Sequence, residues 1–310
     1  MKIVQDLIVL TSPPASGKTY WIETFARGIG PSSLMVISPL RALADECRDK
    51  WKDEIKVVTP EEWLLTQEYR DIIVFDEFHL NYYWGDSFRP VLWEVFYALS
   101  SRARLCVLLT ATLSPEMEDE IRLMGLHFNQ IVFCDYGNRK LKFHPARYYK
   151  APTKTWMRDF IDLGPRGNGV NLIFCAFRNE VFEWGERLRK SGYIVWTCVG
   201  GESREMRIRM ASESVPHFIV ATTVLGHGVN LPAISCVYFL YPLKNIDFWI
   251  QMVARGGRKG EDYEVFALEN PHGIKWKLSS NFLAILGLSL RMRLHSLKRE
   301  FDQWFLKESS

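Results

Sequence analysis

Short apolar runs rich in β-branched residues alternate along this chain with longer stretches of helical periodicity. Strands are predicted at 7–11, 34–38, 72–75, 105–110 and 131–134, and again at 171–174, 193–197, 217–221, 237–240 and 265–268. Apolar residues at helical spacing fall between them, at 18–27, 40–50, 179–190 and 248–253. Several of the strand runs are continuously apolar, so both of their faces must be covered. With helices between them, this predicts an α/β architecture of parallel sheets. Ten strands are many for one open sheet, and they fall into two groups of five. The stretch 135–155, rich in Lys, Arg, Pro and Gly, reads as the domain boundary. The length agrees, because 310 residues at about 150 per domain makes two. Beyond Lys275, Leu283, Leu286, Leu290, Leu294 and Leu297 recur three or four apart, which predicts a helix docked on the second domain. Domains are therefore expected at 1–140 and 141–272, with a helical extension at 273–310.

Composition narrows the class. At 47% hydrophobic and 24% charged residues, the chain is neither disordered nor a disulfide miniprotein. Lys plus Arg number 39 and Asp plus Glu 36, a net charge of only +3, so any contact with a polyanion must come from a local groove. No apolar run is long enough for a membrane span, and no signal peptide is read at the N-terminus. Cys47, Cys106, Cys134, Cys175, Cys198 and Cys236 form no CxxC pair. Buried free thiols, a cytoplasmic location, no zinc site and no membrane partner are expected.

Two strand ends carry chemistry. Ser12-Pro13-Pro14-Ala15-Ser16-Gly17-Lys18-Thr19 follows a strand and opens a helix. It matches the phosphate-binding pattern G-x-x-x-x-G-K-[ST], with Ser12 in place of the first Gly. Such a loop aims backbone N–H groups and a helix N-terminus at phosphates. Gly17 permits close approach, Lys18 reaches the β- and γ-phosphates, and Thr19 offers a hydroxyl to Mg²⁺. Asp76-Glu77-Phe78-His79 ends the apolar run 72–75. Carboxylates at the carboxyl end of a parallel strand face the crevice where α/β sheets bind ligands. There Asp76 can hold Mg²⁺ and Glu77 can orient and deprotonate water. The aromatic stretch 81–86 that follows reads as packing rather than base stacking.

These residues, in this order, resemble a superfamily 2 helicase, most like the DExH type. Residues 12–19 are similar to motif I and 76–79 to motif II. Pro39-Leu40-Arg41-Ala42-Leu43-Ala44 is similar to motif Ia, and Thr59-Pro60-Glu61 to the TPE-type motif that follows it. Thr110-Ala111-Thr112 is similar to motif III and residues 173–178 to motif IV. Residues 220–232 resemble motif V, and the ending Gly228-Val229-Asn230-Leu231-Pro232 is nearest to the superkiller-like branch. Gln251-Met252-Val253-Ala254-Arg255-Gly256-Gly257-Arg258 resembles motif VI. The resemblance covers about residues 7–260. It implies two tandem RecA-like domains, each a mostly parallel sheet flanked by helices. ATP and Mg²⁺ are the implied cofactors, with hydrolysis in the interdomain cleft driving movement on single-stranded nucleic acid.

Roles follow from the resemblance. Ser16, Gly17, Lys18, Thr19 and Asp76, joined by Gly228 and Asn230, would surround the nucleotide, with Thr19 and Asp76 at the metal. Glu77, Gln251, Arg255 and Arg258 would be catalytic, and His79, Thr110 and Thr112 would couple hydrolysis to motion. Pro39, Arg41, Thr59, Arg178 and Thr222 would line the strand's phosphates. Physics supports the motif VI assignment separately: two always-charged Arg among glycines suit a phosphate site better than a core. An arginine finger delivered by a second domain gives about 10³–10⁵ in rate.

Departures from the pattern bear on the expectations. Ala15 and Ala254 stand where relatives carry Gly, and the small replacements preserve the space. Little chain precedes Ser12, so an adenine-reading glutamine motif of the DEAD-box kind is expected to be truncated or absent, which leaves selectivity for ATP over other NTPs open. The spacing from Gly228 to Gln251 leaves little room for a strand-separating hairpin. Translocation, with unwinding limited to short duplexes or dependent on a protein partner that supplies a wedge or loading function, is the leading expectation. DNA is placed ahead of RNA. A nucleotide-gated clamp and a partner-dependent remodelling ATPase without unwinding remain as alternatives.

Overall fold

The computed structural model describes residues 5–14, 16–52, 54–86, 88–124, 128–135, 145–226, 231–243 and 245–268. The chain divides into two compact units, Met1–Leu141 and Lys142–Ser310.

The first unit runs β1 (Asp6–Thr11), α1 (Lys18–Ile29), β2 (Leu34–Ile37), α2 (Arg41–Trp51), β3 (Lys56–Val58), α3 (Pro60–Thr66), β4 (Ile72–Phe75), α4 (His79–Trp84), α5 (Val91–Ser100), β5 (Leu105–Thr110), α6 (Pro115–Met124) and β6 (Gln130–Asp135). Its sheet has the order β3-β2-β4-β5-β1-β6, and every pairing is parallel. All residues of β2 and β4 are buried, as continuous apolar strands in a covered sheet must be. Side chains of alternate parity feed two cores, one centred on Val9, Ile73 and Leu108, the other on Leu10, Val74 and Leu109. The order puts β5 between β4 and β1. The carboxyl ends of three neighbouring strands therefore carry the sequence motifs at 76–79, 110–112 and 12–19.

The second unit runs β7 (Arg147–Lys150), α7 (Lys154–Ile161), β8 (Val170–Phe174), α8 (Arg178–Lys190), β9 (Val195–Cys198), α9 (Ser203–Ser212), β10 (Phe218–Ala221), β11 (Ile234–Phe239), α10 (Ile246–Val253) and β12 (Glu264–Ala267). Its order is β7-β12-β11-β8-β10-β9, again all parallel. Asn171 is buried inside β8 with its amide satisfied: Oδ1 accepts from Arg166 N–H (3.0 Å) and the Tyr238 hydroxyl (3.2 Å), and Nδ2 donates to the Arg166 carbonyl (2.9 Å).

Among the described residues each sheet holds six strands rather than five. The additional ones are β3 and β7, and both are sheet edges. Both are short and carry a charged end, Lys56 in β3 and Arg147 and Lys150 in Arg147-Tyr148-Tyr149-Lys150, so neither shows the apolar run that marks the other strands. β7 lies inside the stretch 135–155 that reads as linker in sequence, and pairing with β12 assigns it to the second unit. Cys47, Cys106, Cys175, Cys198 and Cys236 are buried and Cys134 is exposed. Among the described residues, no helix is long and apolar enough to cross a membrane. The extension at 273–310 lies outside the described residues.

Candidate active site

The loop that begins at Ser12 leaves β1 and turns into α1 at Lys18. Ser12 N–H donates to the Thr110 carbonyl (3.0 Å), fastening the loop's start to the exit of β5. The Ser16 N–H donates to the Pro13 carbonyl (3.1 Å), and the Ser12 and Ser16 hydroxyls are hydrogen-bonded to each other. Gly17 has φ +95°. A Cβ there meets nothing closer than 3.9 Å, so glycine is required by backbone conformation and not by space. Gly17 caps α1 without a side-chain bond, so no side chain competes for the first N–H groups of that helix. Lys18 Nζ folds back to the Ser12 carbonyl at 3.4 Å, over the loop.

Asp76 and Glu77 follow β4. Asp76 is buried, 8% exposed, and its Oδ1 accepts from Glu77 N–H at 2.9 Å. Burial raises its carboxyl pKa to about 7; the adjacent Glu77 charge adds to the shift and Lys18 opposes it. A carboxylate so costly to ionise alone fits a divalent cation, and Thr19 in the first turn of α1 offers a second oxygen of the kind magnesium prefers. Glu77 has φ +46°. A non-glycine residue held there costs about 1–3 kcal/mol, and such strain gathers at functional sites. The turn is held by Phe78 N–H donating to the Leu109 carbonyl (2.9 Å).

His79 and Thr110 join the two strand ends. His79 is fully buried, with Nδ1 3.5 Å from Glu77 Oε2 and 3.4 Å from Thr110 Oγ1. Thr110 Oγ1 in turn donates to the Thr112 carbonyl (2.6 Å) and accepts from Thr112 N–H (3.3 Å). The structure therefore brings Ser16, Gly17, Lys18, Thr19, Asp76, Glu77, His79, Thr110 and Thr112 to one end of one sheet.

Pro39, Arg41 and Thr59 form a second group in this unit. Ser38 N–H donates to the Val58 carbonyl (3.0 Å), so the exits of β2 and β3 adjoin. Arg41 is exposed at the start of α2. Thr59 is the N-cap of α3 in a reciprocal box with Glu62, so its hydroxyl already accepts a helix N–H. Nothing local in the sequence signals Arg89, which clamps Glu61 bidentately (2.7 and 2.6 Å) and donates to the Pro39 carbonyl. The aromatic stretch after motif II is packed together: His79 on Tyr83, Tyr82 on Tyr83, Trp84 on Phe88.

In the second unit Gln251 and Arg255 are buried, Arg255 to 1% exposure. Both follow from α10, whose N-cap Asn245 accepts from the Asp247 and Phe248 N–H groups. Arg258 Nε donates to the Ala254 carbonyl at 3.0 Å, folding it against the helix end. Gly256 is obligatory for packing: a Cβ there would sit 2.2 Å from the Tyr263 ring. Arg178 is exposed at the start of α8, and Thr222 follows the exit of β10. Gly228 and Asn230 lie outside the described residues.

Residues 156–260 match the helicase conserved C-terminal domain family. The Rattus norvegicus ATP-dependent DNA helicase Q5 is 26% identical over 260 residues, covering 74% of this chain and 26% of that protein. The Bacillus subtilis ATP-dependent DNA helicase RecQ is 25% identical over 212 residues, 66% of this chain and 35% of that one. The Debaryomyces hansenii pre-mRNA-splicing ATP-dependent RNA helicase PRP28 is 26% identical over 143 residues, 45% and 23% of the two chains. The chain thus spans between about a quarter and a third of the length of these relatives. A solved structure of S. cerevisiae Dbp5 bound to RNA and ADP BeF3 shares the fold, with a TM-score of 0.67 at 16% identity over 93% of this chain and 84% of that one. The fold is thus that of two RecA-like α/β domains, and the sequence is similar to helicases of both the RecQ and DEAD-box kinds.

Proposed function

We propose that this chain is a nucleic-acid-dependent ATPase of the DExH type, nearest to the superkiller-like branch, that moves along single-stranded nucleic acid. The reading is carried by one observation: a phosphate loop, an Asp-Glu pair and the Thr110–His79 contact share the carboxyl ends of three adjacent strands. Lys18 and the α1 N-terminus bind the β- and γ-phosphates. Thr19 and Asp76 would hold a magnesium ion, which when bound would supply charge neutralisation at the phosphates. Glu77 orients the attacking water and takes its proton, with its carboxylate steered by His79.

The second domain delivers Arg258 to the γ-phosphate as an arginine finger. Arg255 supports the same charge, Gln251 positions water or phosphate, and Gly228 and Asn230 complete the nucleotide's surroundings. Such delivery makes closure depend on nucleotide, and closure is what the strand experiences as movement. Pro39, Arg41 and Thr59 on the first domain and Arg178 and Thr222 on the second follow the strand's phosphates without reading its sequence. Both DNA and RNA relatives exist, and DNA is the first choice; a protein partner supplies the wedge for long duplexes. The domains are assigned as 1–140 and 141–272, with a helical extension at 273–310. ATP turnover with and without single-stranded DNA, single-stranded RNA, duplex and forked substrates tests the reading. Stimulation by a single strand is expected, and turnover indifferent to every polynucleotide would overturn it.

A further inference from the structure

Two sets of exposed rings stand close to sequence motifs, and their electrostatic settings differ. In the first unit, Tyr97 is 54% exposed and Tyr82 partly so. Both are surrounded by carboxylates: Asp86, Glu116 and Glu120 act on Tyr82, and Asp86 and Glu120 on Tyr97. Asp86 also accepts from Trp93 Nε1 at 2.9 Å. Phosphates approaching these rings would be repelled.

Phe177, at the exit of β8, is 67% exposed and differently placed. It occupies the N-cap of α8, where Ser, Thr, Asp or Asn usually accepts a helix N–H and a phenyl ring cannot. The backbone ends there are served by Glu180, which accepts from Ala176 N–H (3.1 Å) and Phe177 N–H (3.3 Å). Among the described residues no other ring stacks on Phe177. The side chain therefore neither caps the helix nor joins an aromatic cluster. The Glu180 carboxylate beside it is itself paired with Lys154 Nζ at 2.6 Å, so it is not left as an uncompensated negative charge. Arg178 is next to Phe177 and exposed. Cys175 N–H donates to the Ala221 carbonyl at 2.9 Å, so the exits of β8 and β10 adjoin and Thr222 follows on the second of them.

We propose that Phe177 is a base-stacking platform, on which one base of the bound single strand lies while Arg178 and Thr222 take the flanking phosphates. This rests on the nucleic-acid reading above and adds a contact to the base itself. Every base has a π-face, so the contact is tolerant of sequence. The ring is uncharged, so it adds affinity without adding to the salt dependence.

Fluorescence anisotropy of the full chain with labelled dT20, and with an abasic strand carrying the same phosphates, provides the test. Phe177→Ala is expected to weaken dT20 binding roughly 5- to 150-fold with an unchanged salt slope, and to leave abasic binding as it was. Phe177→Trp is expected to keep the affinity for dT20, because an indole offers the same stacking face. Arg178→Ala, by contrast, should lower the salt slope by about one on both strands. Unchanged dT20 affinity in Phe177→Ala, or an equal loss on both strands, would overturn the platform while leaving the nucleic-acid reading intact. A wild-type chain that binds neither strand would overturn both. Thermal melts of each variant separate a lost contact from a lost fold.

Discussion

The buried imidazole of His79 lies 3.4 Å from the hydroxyl of Thr110, tying the turn after β4 to the exit of β5. Its same nitrogen faces Glu77, so a change at that carboxylate has a direct route to the neighbouring strand end. Thr110→Val keeps the shape and removes the hydroxyl. It is expected to leave nucleotide binding within about threefold and to cut strand-stimulated turnover about 5- to 150-fold, the usual range of a coupling free energy. Steady-state turnover beside nucleotide titration checks this, and equal losses in both would assign Thr110 to binding alone.

Lys18 supplies the loop's cation, and only the Ser12 carbonyl holds it there by a hydrogen bond among the described residues. Lys18→Ala is expected to weaken binding of a fluorescent ATP analogue by about 30-fold or more, the effect of removing one partner of a desolvated charge pair (about 2 kcal/mol or more). The melting temperature without nucleotide should barely move. Calorimetric or fluorescence titration measures it.

Asp76 predicts a pH-dependent conflict between stability and function. Its folded pKa is raised to about 7 from an unfolded value near 3.8. Stability is thus full below the unfolded value and lost as pH rises through the folded one. Without metal, Asp76→Asn should raise the melting temperature at pH 8, with the gain shrinking as pH falls and vanishing below about 4. The same variant should lose magnesium-dependent turnover. Thermal melts in a chelator across pH 4–8 supply the readout, and a gain that grew toward acid would contradict the burial of Asp76.

Gly256 predicts a packing effect in the second unit. Adding a Cβ 2.2 Å from the Tyr263 ring forces the backbone or the ring to move. Gly256→Ala should cost about 1–3 kcal/mol by denaturant unfolding, the typical price of overpacking. Pairing it with Tyr263→Leu should recover part of that loss.

Legibility in the sequence followed the physics of each feature. Central strands such as Ile72–Phe75 are apolar throughout because both faces are buried, and their sequence says so directly. The edge strands Lys56–Val58 and Arg147–Lys150 carry no such run, and only pairing identifies them. Residues 12–19 and 76–79 are local motifs, readable because the chemistry sits in consecutive residues. The Arg89 clamp on Glu61 and Pro39 joins residues far apart in the chain, and no local pattern announces it. Thr59 is the reverse case: its spacing to Glu62 is a capping box, a structural task that the motif resemblance does not mention. Glu77 has a left-handed backbone that no residue preference foretells, since a Glu has no intrinsic tendency to that conformation.

Strand-stimulated ATP turnover of Arg258→Ala, measured beside ATP binding, tests the central claim most directly. Arg258 belongs to the second unit and the phosphate loop to the first. Two-domain catalysis predicts that turnover falls about 10³- to 10⁵-fold while ATP affinity changes little. Turnover equal to that of the unaltered chain would contradict it.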